Sequence, residues 1–168
     1  MAGKKRRRFL VLGVGNILLK DEGLGIRAVE QIRERYILPP GVSAVDGGTG
    51  GLKLLSLIND YSNVIIIDAV ASRSEPGTIH RIPARELPKA QPLLRTAHDI
   101  GVMDLLALAG LDGHSPEVVV IGMEPADLSP GLKLSPVIEG RLPEIAALVV
   151  KELEGLGVEL RERKKSRA

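Results

Sequence analysis

The chain alternates between short apolar segments of strand length and longer segments in which apolar residues recur at helical spacing. The predicted strands cover residues 9–14, 42–45, 64–67, 78–82 and 118–121. Continuously apolar strands that alternate with helices are typical of a largely parallel sheet buried on both faces. The sequence therefore predicts an α/β fold: a single three-layer domain with a mostly parallel, twisted sheet of about five strands and helices on both faces.

Helices are predicted between these strands, at residues 22–36, 52–58, 98–108 and 136–153. Ser135 followed by Pro136 is typical of an N-cap and the first residue of a helix. Prolines on either side of the strand at 78–82 place it near an edge of the sheet. The proline-rich segment 83–97 is expected to form a long surface loop.

Basic residues are concentrated at the two ends of the chain. The sequence carries 23 Lys and Arg against 21 Asp and Glu, a net charge of +2, yet ten of the basic residues lie within 4–8 and 161–167. Residues 9–160 hold 13 basic and 20 acidic side chains, a net charge near −7. We therefore divide the chain into a basic N-terminal arm at 1–8, a domain at 9–156 and a charged tail at 157–168. Both ends are expected to be solvated and frayed.

The composition excludes several classes of protein. The sequence has no cysteine, which rules out a disulfide scaffold, a Cys-ligated zinc or iron–sulfur site and a thiol nucleophile. The same absence fits a cytoplasmic location. With one Phe, two Tyr and no Trp, a stacking platform for nucleic acid is not expected, and the apolar runs are too short to span a membrane. We therefore expect neither a nucleic acid nor a membrane as a partner.

The loop after the first strand contains Gly13 and Gly15, as a dinucleotide-binding turn does. The third position of that pattern holds Leu18, and Asp21 and Glu22 place negative charge where a pyrophosphate would bind. A nucleotide-binding domain with Asp46 on the ribose is therefore an alternative with little support.

Acidic residues gather where a parallel α/β sheet binds its ligands, beyond the carboxyl ends of the strands. Asp46 and Asp68 follow predicted strands, Glu22 begins the first predicted helix, and His98 begins a later one. Glu22, Asp68 and His98 together suit a divalent metal ion with open coordination positions. Simpler roles are also open: Glu22 could interact with the helix dipole, Asp68 could cap a turn, and His98 could be an exposed polar residue.

Five segments of the chain, in order, resemble the motifs of the hydrogenase maturation endopeptidases. The first is Leu12-Gly-Val-Gly-Asn-Ile-Leu-Leu-Lys-Asp-Glu-Gly-Leu-Gly-Ile-Arg27. The others are Asp46-Gly-Gly-Thr-Gly50, Ile66-Ile-Asp-Ala-Val70, His98-Asp-Ile-Gly-Val-Met-Asp-Leu-Leu106 and Ile121-Gly-Met-Glu-Pro125. The resemblance extends over roughly residues 9–150, and five motifs in order are far more specific than any one of them.

The resemblance implies a protease that removes a short C-terminal extension from the precursor of the large subunit of a nickel–iron hydrogenase, once nickel is in place. In the family, a Glu of the first motif, an Asp that ends the third strand and a His that begins a later helix contact the metal. These positions imply Glu22, Asp68 and His98 as the metal-contacting residues here. An Asp of the second motif is implicated in activity, which implies a role for Asp46.

The chain lacks the Gly-x-Ser-x-Gly elbow of serine hydrolases and the His-Glu-x-x-His helix of common zinc peptidases. Our hypothesis is that Glu22, Asp68 and His98 complete the coordination of nickel carried by the substrate, with no tightly bound cofactor of the protein's own. Asp46 would then position or deprotonate the attacking water.

The expected partners are the large-subunit precursor and nickel-insertion accessory proteins, and the protein is expected to be a monomer. A competing hypothesis is a non-catalytic module or chaperone that only holds the metallated precursor, because the same three ligands would serve it.

Overall fold

A computed structural model describes residues 6–86 and 116–164. The strands are β1 (Phe9–Val14), β2 (Tyr36–Ile37), β3 (Val42–Gly48), β4 (Asn63–Ala69), β5 (Ile79–Pro83), β6 (Glu117–Met123) and β7 (Arg161–Glu162). The α-helices are α1 (Leu24–Arg35), α2 (Lys53–Asn59) and α3 (Pro136–Gly155), and 3-10 helices cover Lys20–Gly23 and Ala84–Glu86. The predicted helix at 98–108 and most of the predicted loop at 83–97 lie outside the described residues. Within the described ranges, no helix has the length and apolar character needed to cross a membrane.

In the described part of the chain, five strands form the main sheet, in the order β3-β1-β4-β6-β5. The four strands β3, β1, β4 and β6 are parallel, and β5 pairs antiparallel with β6. The predicted, mostly parallel sheet of about five strands is confirmed. The edge position predicted for the strand between prolines is also confirmed.

Helices cover both faces of this sheet, as predicted. Val11 and Ile65 belong to a core that includes buried residues of α1 and α3. Leu10 and Ile66, their neighbours along the strands, belong to a separate core with buried residues of α2. Since successive side chains of a strand point to opposite faces, each strand contributes to both cores.

The start of the first helix differs from its prediction. A 3-10 helix covers Lys20–Gly23, and α1 begins only at Leu24. Lys20 has a positive φ of 44°, and the carboxylate of Asp21 accepts hydrogen bonds from a distant segment of the chain. The positive φ is a left-handed backbone position just before the predicted helix. The Asp21 carboxylate, engaged with a distant segment, does not serve as the N-cap of a helix that begins at Glu22.

The described ends of the chain pack against the domain. The guanidinium of Arg8 lies 4.6 Å from the centroid of the Tyr61 ring, which is a favourable cation–π distance. At the other end, β7 pairs antiparallel with β2, and apolar side chains of the tail pack against the core. Most of residues 6–8 and 157–164 are exposed to solvent, as expected, but these contacts hold them against the domain, so the expectation that they are frayed is wrong.

Glycines allow the beginning of α1 to lie directly against the sheet. A side-chain carbon on Gly25 would overlap the carbonyl oxygen of Ile67 in β4. A side-chain carbon on Gly13 would overlap the carbonyl oxygen of Gly25. A side-chain carbon on Gly15, whose φ is +149°, would overlap the carbonyl oxygen of Glu22. The glycine spacing thus serves close packing, and it places the 3-10 helix at the carboxyl-terminal edge of the sheet.

We expect Gly25→Ala to lower the free energy of unfolding by about 1–3 kcal/mol, because the added methyl group would meet backbone atoms of β4. In a domain of this size the melting temperature would fall by roughly 2–12 °C. Gly140→Ala in α3 is the matched control, since among the described residues no atom outside the adjoining turns of α3 lies within 4 Å of its added carbon. The free energy of unfolding of that variant should rise by up to about 1 kcal/mol, because alanine has a higher helix propensity than glycine. Equal melting temperatures for the two variants would contradict the close contact.

Candidate functional site

Glu22 and Asp68 lie close together at the carboxyl-terminal edge of the sheet. Glu22 is in the 3-10 helix before α1, and Asp68 is the next-to-last residue of β4. Glu22 is 3% exposed and Asp68 is 1% exposed, and the oxygen atoms Glu22 Oε2 and Asp68 Oδ2 are shielded from solvent. The charge of Glu22 acts on Asp68. The structure therefore brings together two of the residues that the sequence analysis selected.

The environment of Asp68 disfavours its negative charge. Burial raises the pKa of Asp68 well above its usual range, and the neighbouring carboxylate of Glu22 raises it further. The backbone N–H of Ala69, which donates to Asp68 Oδ1 at 2.8 Å, acts in the opposite direction. A divalent cation beside both carboxylates would offset their repulsion and favour their charged forms. The chemistry of this pair fits a metal ion.

Asp46 lies near the end of the edge strand β3, apart from this pair. Its side chain is exposed, and its Oδ1 accepts a hydrogen bond of 2.8 Å from the backbone N–H of Gly48. In the sheet register, Asp46 stands opposite Gly13 of β1, which in turn stands opposite Ile67 of β4. The Asp46 backbone therefore lies two strand spacings, or about 10 Å, from β4. The structure does not place Asp46 in contact with Glu22 or Asp68.

His98 lies outside the described residues, and its predicted place beside Glu22 and Asp68 stays a prediction. Within residues 6–86 and 116–164, no three His, Asp or Glu side chains are grouped as the ligands of a metal ion would be. A further imidazole or carboxylate ligand for the pair would therefore come from outside the described part of the chain.

Asp21 is a buried polar residue whose importance the sequence analysis missed. Its side chain is fully buried, although it is a carboxylate. Ala126 N and Asp127 N donate to Asp21 Oδ2 at 2.9 and 2.8 Å. Ser135 donates through its backbone N–H to Oδ1 at 2.7 Å and through its hydroxyl to Oδ2 at 2.8 Å. No local pattern indicates this arrangement, because the donors lie more than 100 residues away along the chain.

A second buried acid, Glu124, was also missed, although it lies in the last of the five motifs. Glu124 Oε2 accepts hydrogen bonds from the backbone N–H and the hydroxyl of Ser72, at 2.6 and 2.7 Å. The same hydroxyl lies 2.9 Å from Nε2 of His80. In a catalytic triad the carboxylate orients the imidazole, whereas here it binds the hydroxyl directly. The cluster fastens the loop after β4 to the end of β6 and does not resemble an activated serine.

We expect Asp68→Asn to make the protein more stable at neutral pH. In the unfolded chain an Asp ionises at about pH 3.9, whereas burial raises its pKa in the folded protein. Between these two values the folded state binds a proton that the unfolded state has lost. Asp68 therefore lowers the free energy of unfolding progressively as the pH rises through that interval.

The measurement is chemical denaturation of the wild-type protein and Asp68→Asn between pH 3.5 and 8, without added metal. The stability advantage of the variant should grow with pH from near zero at the acid end. Exposed Asp60→Asn is the matched control and should show no such trend. A stability difference that does not change with pH would contradict the proposed environment of Asp68.

Comparisons with known proteins identify the family. A family model described as "Hydrogenase maturation protease" matches residues 26–152. The hydrogenase 2 maturation protease of Escherichia coli K12 is 38% identical over 154 residues, which cover 90% of this chain and 94% of that protein. The hydrogenase expression/formation protein HupD of Rhizobium leguminosarum bv. viciae is also 38% identical, over 90% of this chain and 76% of its own.

Solved structures agree with the sequence relatives. The hydrogenase maturating endopeptidase HybD of E. coli superimposes with a TM-score of 0.87 at 37% identity, over 95% of this chain and 99% of that one. The [NiFe] hydrogenase maturation protease HybD of Thermococcus kodakarensis gives a TM-score of 0.73 at 27% identity, over 86% and 98% of the two chains. The α/β fold is thus shared with these enzymes, and the chain belongs to the hydrogenase maturation protease family.

Proposed function

We propose that the protein removes a C-terminal extension from the nickel-loaded precursor of a [NiFe]-hydrogenase large subunit, and that it recognises the nickel in that substrate. The observation that carries this proposal is the pair of buried carboxylates, Glu22 and Asp68, at the edge of the sheet where ligands bind. Membership of a family of maturation proteases supports the reaction class. The electrostatics of the pair support a cation as the recognised feature.

The donor set favours a metal ion that arrives with the substrate. Carboxylates hold a divalent transition metal less firmly than thiolates or imidazoles do. The chain has no cysteine, so any thiolate ligands of the nickel belong to the precursor. In the proposal Glu22, Asp68 and His98 fill the remaining coordination positions, and a precursor without nickel loses these contacts.

Asp46 is proposed to act on the attacking water. Its carboxylate is exposed, and so accessible to water and to a substrate, and its backbone stands two strands from β4 in the same sheet. Asp46 would accept a proton as the water oxygen bonds to the scissile carbonyl carbon, and the proton would then pass to the leaving amine. The role of the nickel contacts is to fix the peptide bond beside that water.

The competing hypotheses gain less support. A non-catalytic chaperone would not turn over precursor at substoichiometric protein, and the relatives are named proteases and endopeptidases. The nucleotide-binding alternative depended on Gly13 and Gly15, but backbone atoms of Gly25 and Glu22 fill the space beside these glycines. Partnership with nickel-insertion proteins and the monomeric state stay predictions.

The first test compares nickel-loaded and nickel-free precursor under the same conditions, and the products are identified by mass spectrometry. We expect cleavage of the loaded precursor at a single bond, at substoichiometric protein, and no detectable cleavage of the nickel-free form. Precursor loaded with zinc is the control, because it shows whether any bound metal makes the precursor cleavable by folding it. Equal cleavage rates with and without nickel would overturn the recognition of nickel.

The second test separates recognition from the chemical step. Glu22→Gln should mainly raise the KM for the nickel-loaded precursor, because it removes a metal contact. Asp46→Asn should mainly lower kcat, by about 10²–10⁴-fold, because it removes the proton acceptor. Asp60→Asn, an exposed aspartate at the opposite edge of the sheet, is the control and should behave as wild type. Full activity of Asp46→Asn would remove Asp46 from the chemical step.

A further inference from the structure

We infer that Asp21 is a positioning residue for the cleavage reaction: its buried carboxylate fixes the 3-10 helix that carries Glu22, and so sets the place of Glu22 relative to Asp68. The inference rests on the proposed function, in which Glu22 contacts the substrate-borne nickel. The carboxylate of Asp21 itself binds the segment 126–135.

The four hydrogen bonds of Asp21 all reach one segment of the chain. Three donors are backbone N–H groups, those of Ala126, Asp127 and Ser135, and the fourth is the Ser135 hydroxyl. Hydrogen bonds to a charged acceptor are about twice as strong as those between neutral groups. They also satisfy a carboxylate that would otherwise be costly to bury. Ser135 occupies the N-cap position of α3, but its hydroxyl binds Asp21 and makes no cap hydrogen bond.

Backbone hydrogen bonds continue the attachment on both sides of Asp21. Lys20 N donates to Gly131 O at 2.9 Å, Asp21 N donates to Asp127 O at 3.1 Å, and Gly131 N donates to Leu18 O at 2.8 Å. An ion pair of 2.6 Å joins Lys20 Nζ to Asp127 Oδ2. The two side chains of that pair are 32% and 40% exposed, so the ion pair contributes little to stability. The buried carboxylate is therefore the main side-chain link between the two segments.

This link acts directly on Glu22, which follows Asp21 in the same 3-10 helix. On the sheet side, Gly25 holds the beginning of α1 against β4. On the other side, Asp21 holds the helix against the segment 126–135. If the Asp21 carboxylate is removed, the helix keeps its contact with the sheet and its backbone hydrogen bonds to the segment 126–135. It loses the buried side-chain link, and Glu22 gains freedom to move away from Asp68. A metal contact is sensitive to such displacement, because its geometry is narrow.

The test is Asp21→Asn, whose amide cannot accept hydrogen bonds at both of its ends. We expect its kcat/KM on nickel-loaded precursor to fall about 10- to 100-fold, mainly through a higher KM. Ser135→Ala removes only the hydroxyl donor, and its kcat/KM should lie between those of Asp21→Asn and the wild-type protein. Hydrogen exchange, read by mass spectrometry, should accelerate at residues 19–24 in Asp21→Asn.

The control is a core variant that loses as much melting temperature but lies far from Glu22. Val149→Ala in α3 meets this need, because Val149 is fully buried and lies about 20 Å along the helix from Ser135. Its kcat/KM should stay within twofold of wild type. If Asp21→Asn loses no more activity than Val149→Ala at equal loss of melting temperature, Asp21 only stabilises the fold and the inference is wrong. If Asp21→Asn does not fold, Ser135→Ala takes its place in this comparison. A loss of kcat/KM in Ser135→Ala no greater than that in Val149→Ala, at equal loss of melting temperature, would then show the inference to be wrong.

The outcome for the wild-type protein separates this inference from the proposed function. Wild-type protein that cleaves no nickel-loaded precursor would overturn the proposed function. Wild-type protein that cleaves it, together with an equally active Asp21→Asn, would overturn only the role of Asp21.

Discussion

The direct contact between the beginning of α1 and the strands β1 and β4 is the constraint on which the candidate site depends. Gly13, Gly15 and Gly25 bring no side chain to this contact, so backbone meets backbone. The 3-10 helix before α1 is thereby carried to the end of β4, where Glu22 reaches the neighbourhood of Asp68. A glycine pattern that serves phosphate binding in other α/β proteins here serves the approach of two carboxylates.

Neighbouring acids of this chain differ in how the fold accommodates their charge. Asp21 is buried among four hydrogen-bond donors, all supplied by the segment 126–135. Asp68 is buried beside the like charge of Glu22, and its pKa rises. Since burial without compensation disfavours a charge, the first arrangement is suited to a structural link and the second to a site that receives a cation. The acidic body of the domain, which the basic ends conceal in the net charge, thus contains acids in distinct environments.

The fold could be predicted from the sequence because its signals are local. The apolar run at 64–67 marks a buried strand, and Ser135 with Pro136 marks the start of α3. The candidate site could be predicted only in part: the structure brings Glu22 and Asp68 together, leaves Asp46 two strands away, and does not describe His98. The 3-10 helix and the packed ends escaped prediction because they depend on distant contacts. Arg163 N, for example, donates to Arg35 O at 2.7 Å.

By itself, the sequence determined the order of strands and helices, the burial of both faces of the sheet and the acids available at its carboxyl-terminal edge. These follow from the spacing of apolar residues, which local chain geometry converts into faces. Only the tertiary structure decided that Glu22 stands beside Asp68, that Asp21 binds a segment more than 100 residues away, and that the glycines serve packing. Those outcomes depend on which distant backbone groups meet, and no local pattern specifies that.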